Sequence, residues 1–294
     1  MASPLVLVTG ATGRQGGAVA RCLLGRGLRV RILTRRPESA AAQRLAMFGA
    51  DPVRGDMADP ASLREALRGA WGVYAVQSPC GPEGASVERR HGEALARAAR
   101  DADVAVFVQS SVAGAQGPTD IPHFESKRAI ERTLRRLELP TVVVRPVTYM
   151  DTYTEEPFLR RLAAEGILRL PLCPENRLHL LSLADLGQAV ADVFAGPDRY
   201  LGTEVPLAGD ACTPIELAQT LGDALGRPVR FVEEPLRTPP MSEAAARMWA
   251  FYRRQGQVVD LAAVRRRFPY VRRFATFVTE RLSSRTDDGA AVTG

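Results

Sequence analysis

Pro4-Leu-Val-Leu-Val-Thr-Gly-Ala-Thr-Gly-Arg-Gln-Gly-Gly17 decides the fold. Leu5 to Val8 is a short apolar run that reads as a buried strand, broken at Gly10, and the helical pattern Ala18, Val19, Cys22, Leu23 starts soon after. Between them Gly10, Gly13 and Gly16 fall in a G-x-x-G-x-x-G spacing. Strand, glycine turn and helix together present backbone N–H groups and a helix N-terminus to a phosphate. Gly10 permits the tight turn, Gly13 lets the backbone approach a pyrophosphate, and Gly16 lets the helix pack closely on the strand. A glycine motif by itself is unspecific. In this context it predicts a dinucleotide site rather than a bland glycine-rich turn.

The next strand, Arg29 to Thr34, ends in Thr34-Arg35-Arg36-Pro37. At this point of a dinucleotide fold an acidic residue would bond the ribose 2′-OH, whereas an arginine accommodates a 2′-phosphate. Two arginines and no carboxylate before Glu38 favour NADP(H) over NAD(H), because a planar guanidinium pairs well with phosphate. The bland alternative makes Arg35 and Arg36 surface charges at a strand end. A helix over Ser39–Phe48 leads to a strand at Asp51–Arg54, which exits through Gly55-Asp56-Met57, where Asp56 is within reach of adenine. Asp59-Pro60 starts a helix, with Asp as N-cap and Pro at the first helical position. Strands at Trp71–Val76, Val104–Val108 and Thr141–Arg145 follow, ending in Gln77, Gln109-Ser110-Ser111 and Pro146, with helices over Glu83–Asp101 and Pro122–Leu137 between them.

This alternation predicts an α/β fold with right-handed crossovers and a parallel, doubly wound sheet. Ligands lie at the carboxyl ends of such strands, which singles out Thr9, Arg35, Asp56, Gln77, Ser110 and Pro146. Beyond Tyr149 the rhythm loosens into a smaller α/β C-terminal lobe. Helices are expected over Glu155–Glu165, from Leu181 to Phe194, from Thr213-Pro214 to Leu225, from Ser242 through Tyr252, and within Phe268–Leu282. Strands are expected at Gly202–Leu207 and Pro228–Val232. The division expected is residues 1–152 as the dinucleotide domain with 182–210 returning to it, 153–181 and 211–282 as the smaller lobe, and 283–294 as a disordered tail.

The 294 residues and 46% hydrophobic content suffice for a real core. No apolar run approaches the roughly 18 residues of a membrane span, and the start lacks an export signal. Cys22, Cys80, Cys173 and Cys212 are scattered without metal-ligand spacing, which suits reduced thiols in a cytoplasmic protein. The net charge of +6 comes largely from arginine. It could attract nucleic acid, but no reading-helix motif surrounds Arg265-Arg266-Arg267 or Arg272-Arg273, so solvated faces are expected instead.

Taken together, the Gly10–Gly17 loop, Thr34-Arg35, Gly55-Asp56, His123-Phe124-Glu125-Ser126-Lys127 and Val144-Arg145-Pro146 leading to Tyr149 resemble the NmrA-like branch of the atypical short-chain dehydrogenase/reductases, and most closely its HSCARG-type NADPH-sensor proteins. The resemblance spans most of residues 4–282. It implies a Rossmann-type domain with bound NADP(H) and a cleft facing a smaller lobe. The cofactor contacts it implies are Gly10, Thr12, Gly13, Arg14, Gln15, Gly16, Thr34, Arg35, Asp56, Met57, Gln77, Ser110, Lys127, Pro146 and Tyr149.

Short-chain dehydrogenases usually carry Tyr-x-x-x-Lys on the helix after the fifth strand, and i,i+4 spacing puts both groups on one face. The lysine bonds the nicotinamide ribose and lowers the tyrosine pKa so that it can pass a proton to a carbonyl. Here His123 stands in the tyrosine position and Lys127 is kept, so ordinary alcohol dehydrogenase chemistry is in doubt. A histidine near its reference pKa of about 6.5 could donate a proton, or Lys127 could serve alone. The bland alternative leaves Lys127 holding the ribose and His123 as a polar helix start. Ser111 falls where relatives orient a carbonyl, with Ser110 its rival. His91 reads as an exposed helical residue, His179 as a packed histidine and Asp185 as a first-turn helix cap. Tyr149 and Tyr153 could line a pocket or belong to the core.

Two functions follow from the family. One is an NADPH-dependent reductase of a small carbonyl, quinone or conjugated compound. The other is a non-catalytic redox sensor whose NADP(H) occupancy sets its affinity for a protein partner, which requires differential binding to two states. The partners expected are thus a small-molecule substrate or a regulated protein, with a homodimer left open and neither nucleic acid nor membrane expected.

Overall fold

The computed structural model describes residues 3–78, 84–236, 238, 241–256 and 258–290, the last seven by their backbone alone. In chain order the elements are β1 (Leu5–Val8), α1 (Arg14–Gly25), β2 (Arg29–Thr34), α2 (Ala40–Met47), β3 (Asp51–Arg54), α3 (Pro60–Leu67), β4 (Gly72–Ala75), α4 (Gly84–Asp101), β5 (Val106–Ser110), α5 (Pro122–Arg136) and β6 (Thr141–Pro146). They continue with β7 (Thr148–Tyr149), α6 (Glu156–Glu165), β8 (Ile167–Leu170), β9 (Leu178–Leu181), α7 (Leu183–Ala195), β10 (Glu204–Leu207), β11 (Asp210–Cys212), α8 (Pro214–Leu225), β12 (Arg230–Glu233), α9 (Glu243–Arg254), α10 (Leu261–Arg267) and α11 (Phe274–Ala290). The helix starts follow their capping chemistry. Asp59 accepts from Ala61 N and has Pro60 behind it, Ser39 accepts from Ala42 N, and Thr213 forms a reciprocal capping box with Glu216. α6 and α8 end at Gly166 and Gly226 in the left-handed conformation that glycine adopts without strain.

The chain forms two compact units: Met1–Pro146 with Leu186–Leu207, and Val147–Asp185 with Ala208–Gly294. The larger holds a seven-stranded sheet in the order β10-β6-β5-β4-β1-β2-β3, with every pair parallel. Strand order reverses between β1 and β4, so their carboxyl ends open a crevice there. On one face Leu7, Leu33, Val73, Ala75 and Phe107 pack against Leu63 and Leu67 of α3, Leu95 and Ala99 of α4, and Ile130 and Leu134 of α5. Burying a Leu or Phe side chain contributes about 1.5–3 kcal/mol, so this face anchors the unit. β1, β4 and most of β5 are short apolar runs, as strands covered on both faces require, whereas β2 carries Arg29 and Arg31 at its start.

The smaller unit contains a β11-β9-β7 sheet, with β9 antiparallel to β11 and parallel to β7, and a parallel β12-β8 pair. Strands β7, β8, β9 and β11 and helix α10 escape the sequence reading, because runs of two to seven residues carry too little periodicity. The last helix continues to Ala290, past the end at Leu282 that the polar composition suggests, and residues 291–294 lie outside the described ones. Once Phe274, Phe277 and Val278 anchor its first turns in the core, extending the helix costs little per residue. Asp185 lies in the first turn of α7 as expected, but its side chain caps no helix N–H. Ser182 Oγ accepts from Asp185 N at 3.0 Å, and the buried Asp185 carboxylate instead receives Arg272 N and Nε at 2.9 and 3.0 Å. Tyr153 is a core aromatic, edge-on to Phe158 and Phe274 at 5.5 and 5.8 Å. Arg265, at one end of the arginine run, donates to Gly209 O at 2.9 Å. Among the described residues no helix is long and apolar enough to cross a membrane.

Candidate functional site

The predicted dinucleotide residues of the larger unit gather at the carboxyl ends of its strands. Thr9 fastens the reversal point. Its N–H donates to Tyr74 O at 3.0 Å, and its hydroxyl donates to Val76 O and accepts from Val76 N, both at 2.9 Å. Gly10 then turns with φ +61°, and a Cβ there would stand 2.8 Å from Val76 Cγ1. At Gly16 a Cβ would lie 2.5 Å from the Gly10 carbonyl oxygen, so only glycine lets α1 approach the turn this closely. Gly13 is the N-cap of α1, with no side-chain cap and no acidic residue in the first turn. The helix N-terminus is thus left open to an anion, and Thr12, Gly13 and Arg14 are exposed beside it. Gln15 faces the other way, donating to Tyr74 OH at 3.2 Å and to the Ser110 hydroxyl, which braces the loop on β4 and β5. Burial pushes the Tyr74 phenol well up, so it serves in this brace as a neutral hydroxyl.

At the end of β2, Thr34 Oγ1 accepts from Arg36 N at 3.2 Å and shapes the turn. Arg35 and Arg36 are exposed and make no ion pair among the described residues. The nearby carboxylate, Glu38, is taken by Arg54 at 2.9 Å, and Arg54 also holds the Arg35 carbonyl at 2.9 Å. Asp56 braces its own turn by accepting from Ala58 N at 2.9 Å, and Met57 packs on the core. Sequence reasoning missed a neighbour here. His91 is only half-exposed, and its pKa is lowered mainly by burial, pulled up by Asp56 and pushed down by Arg90 and Arg35.

The ends of β4 and β5 carry a buried polar layer. Lys127 on α5 is the only lysine among 39 lysines and arginines, in a chain that uses arginine wherever any cation suffices. Its ammonium donates to Gln77 O at 3.2 Å and lies 2.9 Å from Glu88 Oε1, an ion pair without the angle of a hydrogen bond. Glu88 on α4 is 0% exposed and also accepts from the Ser126 hydroxyl. Sequence reasoning missed Glu88 too, since one acid within a charged helix carries no spacing signal. Gln109 Nε2 donates to Gln77 Oε1 at 3.0 Å and to Ser110 O at 2.7 Å. That leaves Gln77 Nε2 and Gln109 Oε1, a donor and an acceptor, both buried and without a hydrogen-bond partner among the described residues. Buried polar atoms in this state cost about 1–3 kcal/mol each until something pairs with them.

His123, one turn before Lys127, is half-buried and edge-on to Phe124 at 4.9 Å. Burial lowers its pKa, Glu88 pulls it back up and Lys127 pushes it down. The neutral imidazole is therefore the resting form at neutral pH. The structure separates the two candidate serines: Ser110 bonds Gln15, whereas Ser111 turns to the other face and donates to Glu131. Pro146 ends β6 and accepts from Ala113 N at 3.0 Å. Tyr149, in β7, belongs to the smaller unit and is half-buried there.

The cradle of glycines, the uncapped helix, the unpaired arginines and the two orphaned amide atoms fit a phosphorylated dinucleotide. Comparison with known proteins agrees with this geometry. The sequence profile of the NmrA-like family matches residues 2–248. A (4-alkanoyl-5-oxo-2,5-dihydrofuran-3-yl)methyl phosphate reductase of Streptomyces griseus is 32% identical over 255 residues, covering 82% of this chain and 84% of its own. Two solved structures share the fold at 21% identity. One is NmrA, a negative transcriptional regulator, in complex with NADP (TM-score 0.82, 98% of each chain); the other is triphenylmethane reductase of Citrobacter sp. complexed with NADP(H) (TM-score 0.83, 95% of this chain and 99% of that one). The chain belongs to the NmrA-like family.

Proposed function

We propose that the protein binds NADP(H) and reduces a small carbonyl, quinone or conjugated compound. The observation that carries this reading is Lys127: the one lysine of an arginine-rich chain, buried where the strand ends converge, with ammonium donors left over after Gln77. A purely structural cation would more economically have been arginine, as at Arg145. In this reading the N-terminus of α1 with Gly10, Gly13 and Gly16 takes the pyrophosphate, Arg35 takes the 2′-phosphate, and Glu38 is already neutralised by Arg54. NADPH, when bound, supplies a hydride. Lys127 steadies the negative charge that develops on the acceptor oxygen, and His123 is the neighbouring group able to carry a proton. The reductase of Streptomyces griseus at 32% identity supports a reductive rather than a purely regulatory role.

One observation favours the sensor reading: His123 stands where short-chain dehydrogenases use tyrosine. The two are separated by following NADPH absorbance over a panel of aldehydes, ketones, quinones and conjugated enones. Acceptor-dependent oxidation is expected, reduced at least ~100-fold in Lys127→Met, the scale seen when one charge-stabilising group is removed. Tight NADPH binding with no turnover across the panel overturns the reductase and leaves the sensor.

A further inference from the structure

We infer that Glu88 is a positioning residue that holds the Lys127 ammonium in place, so that its remaining donors are aimed at the reacting end of the cofactor. This inference rests on the reading of Lys127 as the residue that meets the reacting end of the cofactor. Glu88 has no exposure at all, yet it is an acid placed on α4, a different helix from Lys127. Burying a carboxylate costs several kcal/mol unless it is paired and hydrogen-bonded. Here Lys127 lies 2.9 Å from one carboxylate oxygen and the Ser126 hydroxyl donates to the other. Ser126 is itself tied to the His123 carbonyl at 3.0 Å, so the first turn of α5 and the carboxylate form one unit.

Two consequences follow. First, direction: the ammonium is held between Glu88 and the Gln77 carbonyl, beside the orphaned Gln77 Nε2 and its partner Gln109. An ammonium has three N–H donors, so a ligand hydroxyl can still be met without breaking either contact. Second, restraint: if the ammonium swung away, the fully buried Glu88 carboxylate would keep only the Ser126 hydroxyl, so the pair resists displacement of Lys127. Among the described residues, the charged and titratable groups against Lys127 are Glu88 on α4 and His123 on its own helix, and the segment after β4 contributes the Gln77 carbonyl. His123, reached by solvent, is a group that can exchange a proton.

Because the chain has one lysine, isotopic labelling of lysine reports on this ammonium alone. In the wild type its Nζ–H cross-peak is expected to be visible at neutral pH without cofactor, since a held ammonium exchanges slowly with water. In Glu88→Gln the cross-peak is expected to be lost and NADPH binding weakened about tenfold, the scale of one hydrogen-bonded charge contact. Glu88→Asp, which keeps the carboxylate, should recover part of both and guards against simple misfolding. A cross-peak and NADPH affinity unchanged in Glu88→Gln would overturn the positioning role. Failure of the wild type to bind NADPH would instead overturn the cofactor reading, and the cross-peak without cofactor still scores Glu88.

Discussion

Lys127 and Glu131 lie one turn apart on α5, both buried, yet the ion-pair clusters around them are built in opposite ways. Glu131 accepts from Arg145 Nη2 at 2.7 Å, from Arg135 at 3.3 Å and from Ser111, while Arg145 also reaches Glu204 with Nη2 at 2.8 Å. Its cation is a guanidinium, whose rigid fork matches two carboxylates at once. The Lys127 cluster has a point-charge cation with one hydrogen bond of its own, to Gln77 O, a carboxylate met by Ser126, and orphaned amide atoms alongside. One cluster has spent its hydrogen-bonding capacity on the protein. The other has kept some back. That contrast is a physical criterion for separating a buried structural network from a buried site, since an unsatisfied polar atom is tolerated mainly where a ligand satisfies it.

The criterion breaks most visibly through stability. Arg145→Met removes one partner of the saturated cluster and leaves Glu131, 1% exposed, with an exposed arginine and a serine. Unfolding free energy is expected to fall by about 3–5 kcal/mol in chemical denaturation. Replacing both charges of the other cluster, as Lys127→Met with Glu88→Leu, should be neutral or stabilising, because apolar groups substitute well for a buried pair, while NADPH binding suffers. Equal losses in both variants would mean that both clusters are structural.

The same distinction applies among the arginines. Arg54 has its carboxylate and its carbonyl, whereas Arg35 beside it is exposed with no ion pair among the described residues. Arg35→Ser is therefore expected to weaken NADPH binding by about 10- to 100-fold, the worth of one charge-assisted contact, while NADH binding changes little. A parallel loss for both cofactors would move Arg35 from phosphate recognition to folding.

Much of this was legible in the chain. The larger unit could be read because short apolar or β-branched runs alternate with helices whose starts are marked by glycine, Asp-Pro or Pro, so period and punctuation agree at β1, α3 and β6. Gly10 and Gly16 could be assigned because their roles depend on a missing Cβ, which sequence states outright. Glu88 could not, because its importance arises from packing α4 against α5, a tertiary contact that no local pattern encodes. Ser110 and Ser111 illustrate the limit most simply. They are adjacent and chemically identical, and only the alternation of the extended chain at the end of β5 sends one to Gln15 and the other to Glu131.

The smallest effect concerns protons. All three histidines have pKa values lowered from 6.5, each chiefly by burial. Below pH 6.5 the unfolded chain takes up protons that the folded chain refuses. This contribution to stability is therefore complete above about pH 6.5 and is lost as pH falls through the folded values. Thermal midpoints should decline between about pH 7 and pH 5, and substitution of any one histidine should flatten the decline. Location then separates two of them. His179 sits in the smaller unit on β9, its pKa lowered by burial and Arg177 against the pull of Val259 O and Asp210. His123 sits between Glu88 and Lys127. His179→Gln is expected to flatten the stability profile and leave the pH dependence of NADPH oxidation as in the wild type. His123→Gln should alter both, because its proton is the one the site exchanges. If His123→Gln flattens stability yet leaves the fall of the rate with rising pH in place, the proton comes from water, and His123 joins Glu131 among the groups whose work is done once the chain has folded.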